Sequence, residues 1–357
     1  MKITRIVSSV EHLPLARPYT IAFRTISAID CVLVELHTDQ GRVGLGTASP
    51  EPYVTGETET ACQAALEETA LDWLVGQDVR RLPALCRALQ HRLPHTPAAR
   101  AALDMALHDL LAQYLSLPLV EMLGRAHEQL TTSVTIGIKP VPETLAEAEE
   151  RIGKGFRALK IKLGHSLEED LERLHRLRER FGKTITIRVD PNQGYSAVDV
   201  LEFVERSADL AIEFLEQPMP VSQLNAMRAL PESVRARLAA DECLLNENDA
   251  LGLLMPPSAC GIFNIKLMKC GGVSPALRIA ALAETAGIDL MWGCMDESVI
   301  GISAALHAAL ASPATRYLDL DGSFDLARDI AKGGFVLEDG RLRTTDAPGL
   351  GVTRLRD

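Results

Sequence analysis

The chain has 357 residues, of which 37 are Lys or Arg and 48 are Asp or Glu, so its formal net charge is −11. With 47 % hydrophobic and 24 % charged residues, it has the composition of a globular protein. The acidic balance argues against nucleic acid and against a membrane as partner, because both polyanions and anionic lipids bind basic surfaces. The length exceeds what one core usually covers, which predicts one large barrel with an addition, or two domains.

The cysteines and the uncharged segments indicate a cytoplasmic protein. The seven cysteines include no CxxC pair, which is unlike a disulfide or zinc framework. The first residues reach Glu11 before the apolar stretch of a signal peptide can form. The longest uncharged stretch, residues 299–315, contains Gly, Ser, His and Pro and is too short to span a membrane. The oligomeric state stays open, and a homo-oligomer is one alternative.

The first 125 residues predict a small antiparallel sheet followed by helices. Alternating and β-branched residues indicate strands at 2–13, 29–38 and 43–46. The Ala, Leu and Glu content indicates helices at 57–74 and 97–114.

Two polar segments interrupt this pattern. Residues 18–27, around Arg24, and residues 49–56, which contain Glu51 and two prolines, are predicted to be loops. Loops on a rigid scaffold often carry recognition residues, so both are candidates for contact with a ligand.

From about residue 131 the pattern becomes periodic. Short β-branched runs recur, each is followed by an amphipathic helical stretch, and each has a polar or special residue near its C-terminal end: Thr135, Lys162, Asp190, Glu216, Asp241, Lys266, Cys294 and Asp319. Successive members of this set are 25 to 28 positions apart. A strand–helix unit of constant length is typical of a parallel (β/α) barrel. A doubly wound sheet is the alternative, although its units would be less regular.

Three of these strand ends carry carboxylates on consecutive strands. In a parallel barrel the C-terminal strand ends face one mouth, so Asp190, Glu216 and Asp241 should converge there. Their repulsion requires a cation, and ligands that are all oxygen favour a hard ion such as Mg²⁺. A solvated surface carboxylate is the alternative for each residue taken alone.

Lysines flank this predicted metal site. Lys160 and Lys162 alternate with apolar residues, so they share the inner face of their strand, and Lys266 follows a strand across the barrel. Crowding of ammonium groups and a cation should lower a lysine pKa towards neutrality. Two opposed bases and a metal suit removal of a proton α to a carboxylate, with inversion. Lys269, past the strand end, is expected to be a loop or surface lysine.

Five segments resemble the enolase superfamily, and specifically its muconate-lactonizing-enzyme subgroup, over nearly the whole chain. They are LKIKLG at 159–164, DPNQGYS at 190–196, EQP at 216–218, ADE at 240–242 and NIKLMKCGG at 264–272. The resemblance implies an α/β fold, a modified TIM barrel of the (β/α)7β type at 126–322 with an α+β capping domain at 1–125 that residues 323–357 complete. It also implies one Mg²⁺ on the three carboxylates, Lys162 and Lys266 as the acid/base pair, and Lys160 assisting at the substrate carboxylate.

Within the subgroup, the chain resembles dipeptide epimerases of the Ala-Glu type. Asp319 and Asp321 in DLDG match the pair that holds a substrate α-ammonium group, which two carboxylates suit well. AFRT at 22–25 and GCMDES at 293–298, with Met295, add to the resemblance, and Thr135 is a further candidate for contact with the substrate. The alternative for the two aspartates is a turn-capping pair.

The implied activity is Mg²⁺-dependent inversion of the α-carbon in the C-terminal residue of an L,L-dipeptide, by two-base 1,1-proton transfer through an enediolate. The alternatives are chemistry of the o-succinylbenzoate synthase or cycloisomerase type, and a barrel without catalysis that serves as a binding or scaffold protein.

Charge at the mouth bears on which dipeptide is used. Arg24 could bind an acidic side chain, as glutamate-selective members of the family require. Glu51 and Asp296 add negative charge, which leads to the hypothesis that dipeptides of Lys or Arg are preferred. The alternative is an L-Ala-D/L-Glu epimerase proper, with Glu51 solvated and Asp296 paired with Arg24 or Lys269.

Overall fold

In the computed structural model, the chain begins with a three-stranded antiparallel sheet. The structure describes residues 1–21 and 24–355, and it describes no side chain from position 19 to position 25 inclusive. The strands of this sheet are β1 (Ile3–Ile21), β2 (Arg24–Thr38) and β3 (Val43–Ala48). The prediction of a loop at 18–27 is wrong for the described residues of this segment, because β1 continues to Ile21 and pairs with β2 from Arg24 onwards, with Thr20 opposite Thr25. Positions 22 and 23 lie outside the described residues. β-branched residues in both arms favour this extended conformation.

The helices of the N-terminal capping domain follow this sheet. They are α1 (Pro52–Thr55), α2 (Glu59–Ala65), α3 (Leu82–Arg92), α4 (Pro97–Leu115) and α5 (Leu119–Leu123), with 3₁₀ turns at Glu68–Leu74 and Val79–Arg81. The helix predicted at 97–114 is confirmed as α4. The one predicted at 57–74 is divided, because α2 ends at Ala65 and a 3₁₀ turn follows; α3 was not predicted.

Helix α4 is buried along most of its length and packs against β3. Its first turn is capped by the buried Glu57, whose carboxylate accepts hydrogen bonds from the backbone N–H groups of Ala98 and Ala99. The close approach to β3 depends on glycine, since a Cβ added to Gly46 would lie 1.9 Å from the carbonyl oxygen of Ala102. The capping domain is therefore held together by one buried helix on a sheet.

Eight parallel strands, counted within the described residues, form the barrel after a short strand β4 (Leu130–Thr131). They are β5 (Ser133–Ile136), β6 (Ala158–Lys162), β7 (Thr186–Asp190), β8 (Ile212–Glu216), β9 (Leu238–Ala240), β10 (Ile262–Ile265), β11 (Asp289–Gly293) and β12 (Thr315–Asp319). Each pairs with the next, and a bridge between Thr132 and Leu318 brings the two edge strands together. The predicted barrel is confirmed, and the doubly wound alternative is excluded.

Helices connect the barrel strands on the outside. They are α6 (Val141–Gly153), α7 (Leu167–Phe181), α8 (Ala197–Arg206), α9 (Leu224–Arg228), α10 (Glu232–Arg235), α11 (Glu247–Leu254), α12 (Leu267–Cys270), α13 (Val273–Ala286) and α14 (Val299–Leu310). Capping boxes at Ser196 and Asn246 start α8 and α11. Helix α14 is buried almost throughout, as α4 is, so both belong to the core.

Towards the N-terminal ends of its strands, the barrel interior is mostly apolar. Phe214, Ala239, Ile262 and Met291 form a separate buried cluster there, with Tyr317 packed against it. Side chains thus fill the floor of the barrel, as expected for eight strands. The buried Arg188 lies in the same layer, with its guanidinium over the rings of Phe214 and Tyr317 and a hydrogen bond to the Leu318 carbonyl. The candidate site residues lie at the opposite, C-terminal end.

The last part of the chain forms four short strands: β13 (Ala331–Gly333), β14 (Phe335–Glu338), β15 (Arg341–Thr344) and β16 (Val352–Arg354). Strand β15 pairs with β4, the short strand that directly precedes the first barrel strand in the chain. Among the described residues, no helix combines the length and the apolar character needed to cross a bilayer.

We expect Gly46→Ala to lower the free energy of unfolding by about 1–3 kcal/mol, because its Cβ would push β3 away from α4. Urea unfolding followed by circular dichroism measures the change. Gly252→Ala in α11 is the control, since its Cβ meets no atom within 4 Å and alanine favours a helix. Equal stabilities of the two variants would contradict the proposed close packing.

Candidate active site

A cavity opens at the C-terminal end of the barrel, beneath the capping domain. It is lined by most of the residues that the sequence analysis selected: Glu51, Thr135, Lys160, Lys162, Asp241, Lys266, Met295, Asp296, Asp319 and Asp321. Asn192 and Glu242, which follow strands β7 and β9, line it as well. The periodic strand ends therefore do meet at one mouth.

Asp190, Glu216 and Asp241 lie at the ends of three neighbouring strands, and each is at most 3 % exposed. Asn264 Nδ2 donates a hydrogen bond to Glu216 Oε1 at 2.8 Å. The other oxygen, Oε2, forms an ion pair with Lys160 Nζ at 2.7 Å but accepts no hydrogen bond of regular geometry. Burial, and then the charge of Asp190, raises the pKa of Glu216 to about 8. These crowded oxygens fit a divalent cation, which would relieve their repulsion.

Lys160 is almost completely buried at the centre of the site. Its Nζ contacts Glu216 and also lies 3.3 Å from Asp190 Oδ2 and 2.8 Å from Asp319 Oδ2. Burial opposes the charged form, yet the surrounding carboxylates raise the pKa of Lys160 well above its usual value. Lys160 therefore links the predicted metal ligands to the aspartate pair.

Lys162 and Lys266 face the cavity from opposite sides. Strand β6 carries Lys162, and β10, which ends just before Lys266, is four strands further round the eight-stranded barrel. Lys162 Nζ lies 2.7 Å from Asp190 Oδ2, and Lys266 Nζ lies 2.8 Å from Asp241 Oδ2. Each lysine thus contacts one of the predicted metal ligands.

The predicted lowering of a lysine pKa depends on the charge of a bound cation and stays a prediction. Burial alone would lower the pKa of Lys266, but the Asp241 carboxylate raises it above its usual value. The physical reason is the excess of negative charge around both Lys160 and Lys266. A cation bound by the carboxylates would offset this negative charge and lower the lysine pKa, so that a lysine could act as a base.

Asp319 and Asp321 lie together where β12 ends. Asp319 Oδ1 accepts a hydrogen bond from Ser133 Oγ at 2.6 Å, and Asp321 Oδ2 accepts one from the backbone N–H of Thr135 at 2.6 Å. Burial, and then the charge of Asp319, raises the pKa of Asp321 to about 7. A second ammonium group brought into the cavity would stabilise this pair of carboxylates.

The rim of the cavity is built from two loops. Glu51 precedes α1, and its Oε1 accepts a hydrogen bond from the backbone N–H of Tyr53 at 3.2 Å. Met295 and Asp296 follow β11, in a turn that the buried Glu297 shapes by accepting a hydrogen bond from the Met295 N–H at 2.9 Å. The side chain of Arg24 lies outside the described residues, so its predicted contact with a substrate stays a prediction.

The prediction for Lys269 is wrong. Instead of lying on the surface, Lys269 is 2 % exposed and donates hydrogen bonds to the carbonyl oxygens of Asp241 and Asn264, at 2.7 and 3.1 Å, and to Asp241 Oδ1. The reason is local: α12 starts directly after Lys266, so residues 266 and 269 are one turn apart and both reach Asp241. This spacing of three residues in NIKLMK was the signal that the sequence analysis missed.

Arg17 was also missed. It extends from β1 and lies 3.3 Å from Glu147 and 2.8 Å from Glu150, which are both on α6. Arg17 and Glu147 line the cavity. These ion pairs connect the capping domain to the barrel at the edge of the site. The sequence analysis could not predict them because the two partners of each pair are far apart in sequence.

A parallel barrel with three buried carboxylates and two opposed lysines under a cap defines the class of enolase-like proton-transfer enzymes. Two family models agree: one for the N-terminal domain of mandelate racemase / muconate lactonizing enzyme matches residues 3–124, and one for the enolase C-terminal domain-like fold matches residues 143–357. The chain belongs to the mandelate racemase/muconate lactonizing enzyme family of the enolase superfamily.

Relatives with known activities cover nearly the whole chain. An L-Lys-D/L-Arg epimerase of Methylococcus capsulatus is 64 % identical over 352 residues, 99 % of each chain. An L-Ala-D/L-Glu epimerase of Bacillus subtilis is 34 % identical over 355 residues, 99 % of this chain and 97 % of that protein. The crystal structure of a dipeptide epimerase from Methylococcus capsulatus with Mg and L-Arg-D-Lys superposes with a TM-score of 0.98, at 64 % identity, covering 99 % of this chain and 100 % of the other.

We expect Mg²⁺ to raise the thermal unfolding midpoint of metal-free protein, because it binds the folded state alone. Glu216→Gln should unfold at the same or a higher temperature without metal, since burial and the charge of Asp190 already disfavour the ionised form of Glu216, but should gain less from Mg²⁺. Differential scanning calorimetry measures both effects, with the exposed Glu205→Gln as the control. An unchanged Mg²⁺ effect in Glu216→Gln would argue against this metal site.

Proposed function

We propose that this protein is a Mg²⁺-dependent dipeptide epimerase that acts on dipeptides of lysine and arginine. The observation that carries the proposal is the placement of Lys162 and Lys266 on opposite sides of a cavity that also holds the Asp319/Asp321 pair. Opposed bases allow inversion at a carbon atom, and paired aspartates suit a free N-terminus.

Each residue then has one role. Lys162 or Lys266 removes the α-proton of the C-terminal residue, and the other lysine delivers a proton to the opposite face. Lys160 stabilises the negative charge that develops on the substrate carboxylate. Asp190, Glu216 and Asp241 would hold Mg²⁺, which supplies positive charge beside that carboxylate. Asp319 and Asp321 hold the ammonium group, next to the backbone of Thr135.

The choice of a cationic substrate rests on the acidic rim. Glu51, Met295 and Asp296 line the cavity, and the two carboxylates add negative charge where a substrate side chain would lie. The similarity to the L-Lys-D/L-Arg epimerase, at 64 % identity, supports the same preference in this chain. A substrate of the succinylbenzoate type is disfavoured because its carboxylates would face Asp319 and Asp321.

We further propose that residues 1–125 and 323–357 act together as the cap over a barrel of residues 126–322, in the cytoplasm. The two parts of the cap are joined where the backbone N–H of Ala16 donates to the Asp325 carbonyl at 2.7 Å, and that of Ala327 to the Pro14 carbonyl at 2.8 Å. All seven cysteines are described, and each is a free thiol, which suits a reducing compartment.

Turnover of L-Arg-L-Lys in D₂O should place deuterium at the α-carbon of the C-terminal residue in both epimers, as measured by NMR. Lys266→Ala should abolish epimerisation yet still exchange the α-proton of one epimer, because Lys162 remains on one face. Lys162→Ala should exchange only the other epimer. The exposed Lys183→Ala is the control, and protium retained by wild-type product would refute the two-base scheme.

The rate constant kcat/KM should be higher for L-Arg-L-Lys than for L-Ala-L-Glu. Asp296→Asn and Glu51→Gln should each lower kcat/KM for the cationic dipeptide on the order of 10-fold, because a charged hydrogen-bond acceptor is lost. Neither variant should reduce turnover of L-Ala-L-Glu. Faster turnover of L-Ala-L-Glu by the wild-type enzyme would contradict the cationic preference.

A further inference from the structure

Lys269 is bound by three oxygen atoms, and none of them belongs to a surface group. Its Nζ donates to the backbone carbonyls of Asp241 and Asn264 and to Asp241 Oδ1. An ammonium group has three protons, so this set of acceptors uses all of them in one geometry. A lysine buried this deeply costs free energy that only such a complete set of partners offsets.

Each oxygen of the Asp241 carboxylate contacts a different lysine. Lys269 contacts Oδ1, and Lys266 contacts Oδ2 at 2.8 Å. The contact of Lys266 must be broken in the proposed reaction, because this lysine exchanges protons with the substrate and Asp241 holds the cation. Once Lys266 turns to the substrate, Lys269 is the cationic partner that remains on Asp241.

The backbone acceptors extend this effect to a second carboxylate. Lys269 joins Asp241, at the end of β9, to Asn264 on β10. The side chain of Asn264 in turn donates to Glu216 Oε1 at 2.8 Å. One buried side chain therefore orients Asp241 directly and fixes the strand that orients Glu216.

We propose that Lys269 is a positioning residue that holds Asp241 in the orientation needed for the cation, so that Lys266 is free for proton transfer. The proposal rests on the function proposed above. It makes a directional prediction, since a cation near a metal site repels the metal. If Lys269 acted through its charge alone, its removal would strengthen metal binding; if it positions Asp241, its removal weakens binding.

The test compares Lys269→Met with Lys266→Met, which remove the two partners of one carboxylate. Binding of Mn²⁺ to metal-free protein is measured by electron paramagnetic resonance without any dipeptide, at a temperature where circular dichroism shows each variant folded. We expect Lys269→Met to bind Mn²⁺ about 10- to 100-fold more weakly than wild type, as for other residues that orient a ligand. Lys266→Met should bind as tightly as wild type or more tightly, and the exposed Lys183→Met is the control.

A second variant keeps the test valid if Lys269→Met does not fold. Lys269→Gln retains two donors, so it should bind Mn²⁺ with an intermediate affinity. Unchanged or tighter binding in either Lys269 variant, or equal weakening in Lys266→Met, would overturn the proposal. The outcome is separate from the proposed function, since wild-type protein that binds Mn²⁺ but epimerises no dipeptide would refute only the function.

Discussion

Asp190, Glu216 and Asp241 end three neighbouring strands, where water hardly screens their repulsion. The barrel tolerates this arrangement because four lysines surround the carboxylates: Lys160, Lys162, Lys266 and Lys269. Without a cation, the ammonium groups act as counterions and the pKa of Lys266 stays high. A bound divalent cation would take over part of that role, which is the condition for a lysine to act as a base. In the proposed function, metal binding and proton transfer are thus coupled through the same carboxylates.

The fold separates stability from chemistry along the barrel axis. The apolar cluster around Phe214 and Met291, with the guanidinium of Arg188 packed on the Phe214 ring, fills one end, so the carboxylates and lysines at the other end rest on a packed layer. The cap closes that charged end and contributes Glu51, while the ion pair of Arg17 with Glu147 fastens it to α6. Under the proposed function, substrate selection by the cap can therefore change without disturbing Lys162 and Lys266, because the cap and these lysines lie on different parts of the chain.

The barrel, and the convergence of the main candidate residues at one mouth, could be predicted because each leaves a local pattern. The constant length of the strand–helix unit indicated the strands. The alternation of lysines with apolar residues placed Lys160 and Lys162 on one face of their strand. The pairing of β1 with β2 as far as Ile21 and Arg24 was missed because the polar residues of this segment suggest a loop when no partner strand is known. Lys269 was misplaced because the strand was expected to continue into a loop, whereas α12 starts at once and turns Lys269 back to Asp241.

The sequence by itself determined the kind of chemistry, since residue type and a spacing of 25 to 28 positions suffice to predict carboxylates and lysines at one barrel mouth. Only the tertiary structure decided which charges neutralise one another. In the folded chain, Lys160 forms ion pairs with Glu216 and Asp319, and Asp241 forms ion pairs with both Lys266 and Lys269. The physical reason is that spacing along a chain sets the strand on which a charge lies, while Coulomb energy depends on distances and burial that exist only after the strands close into a barrel.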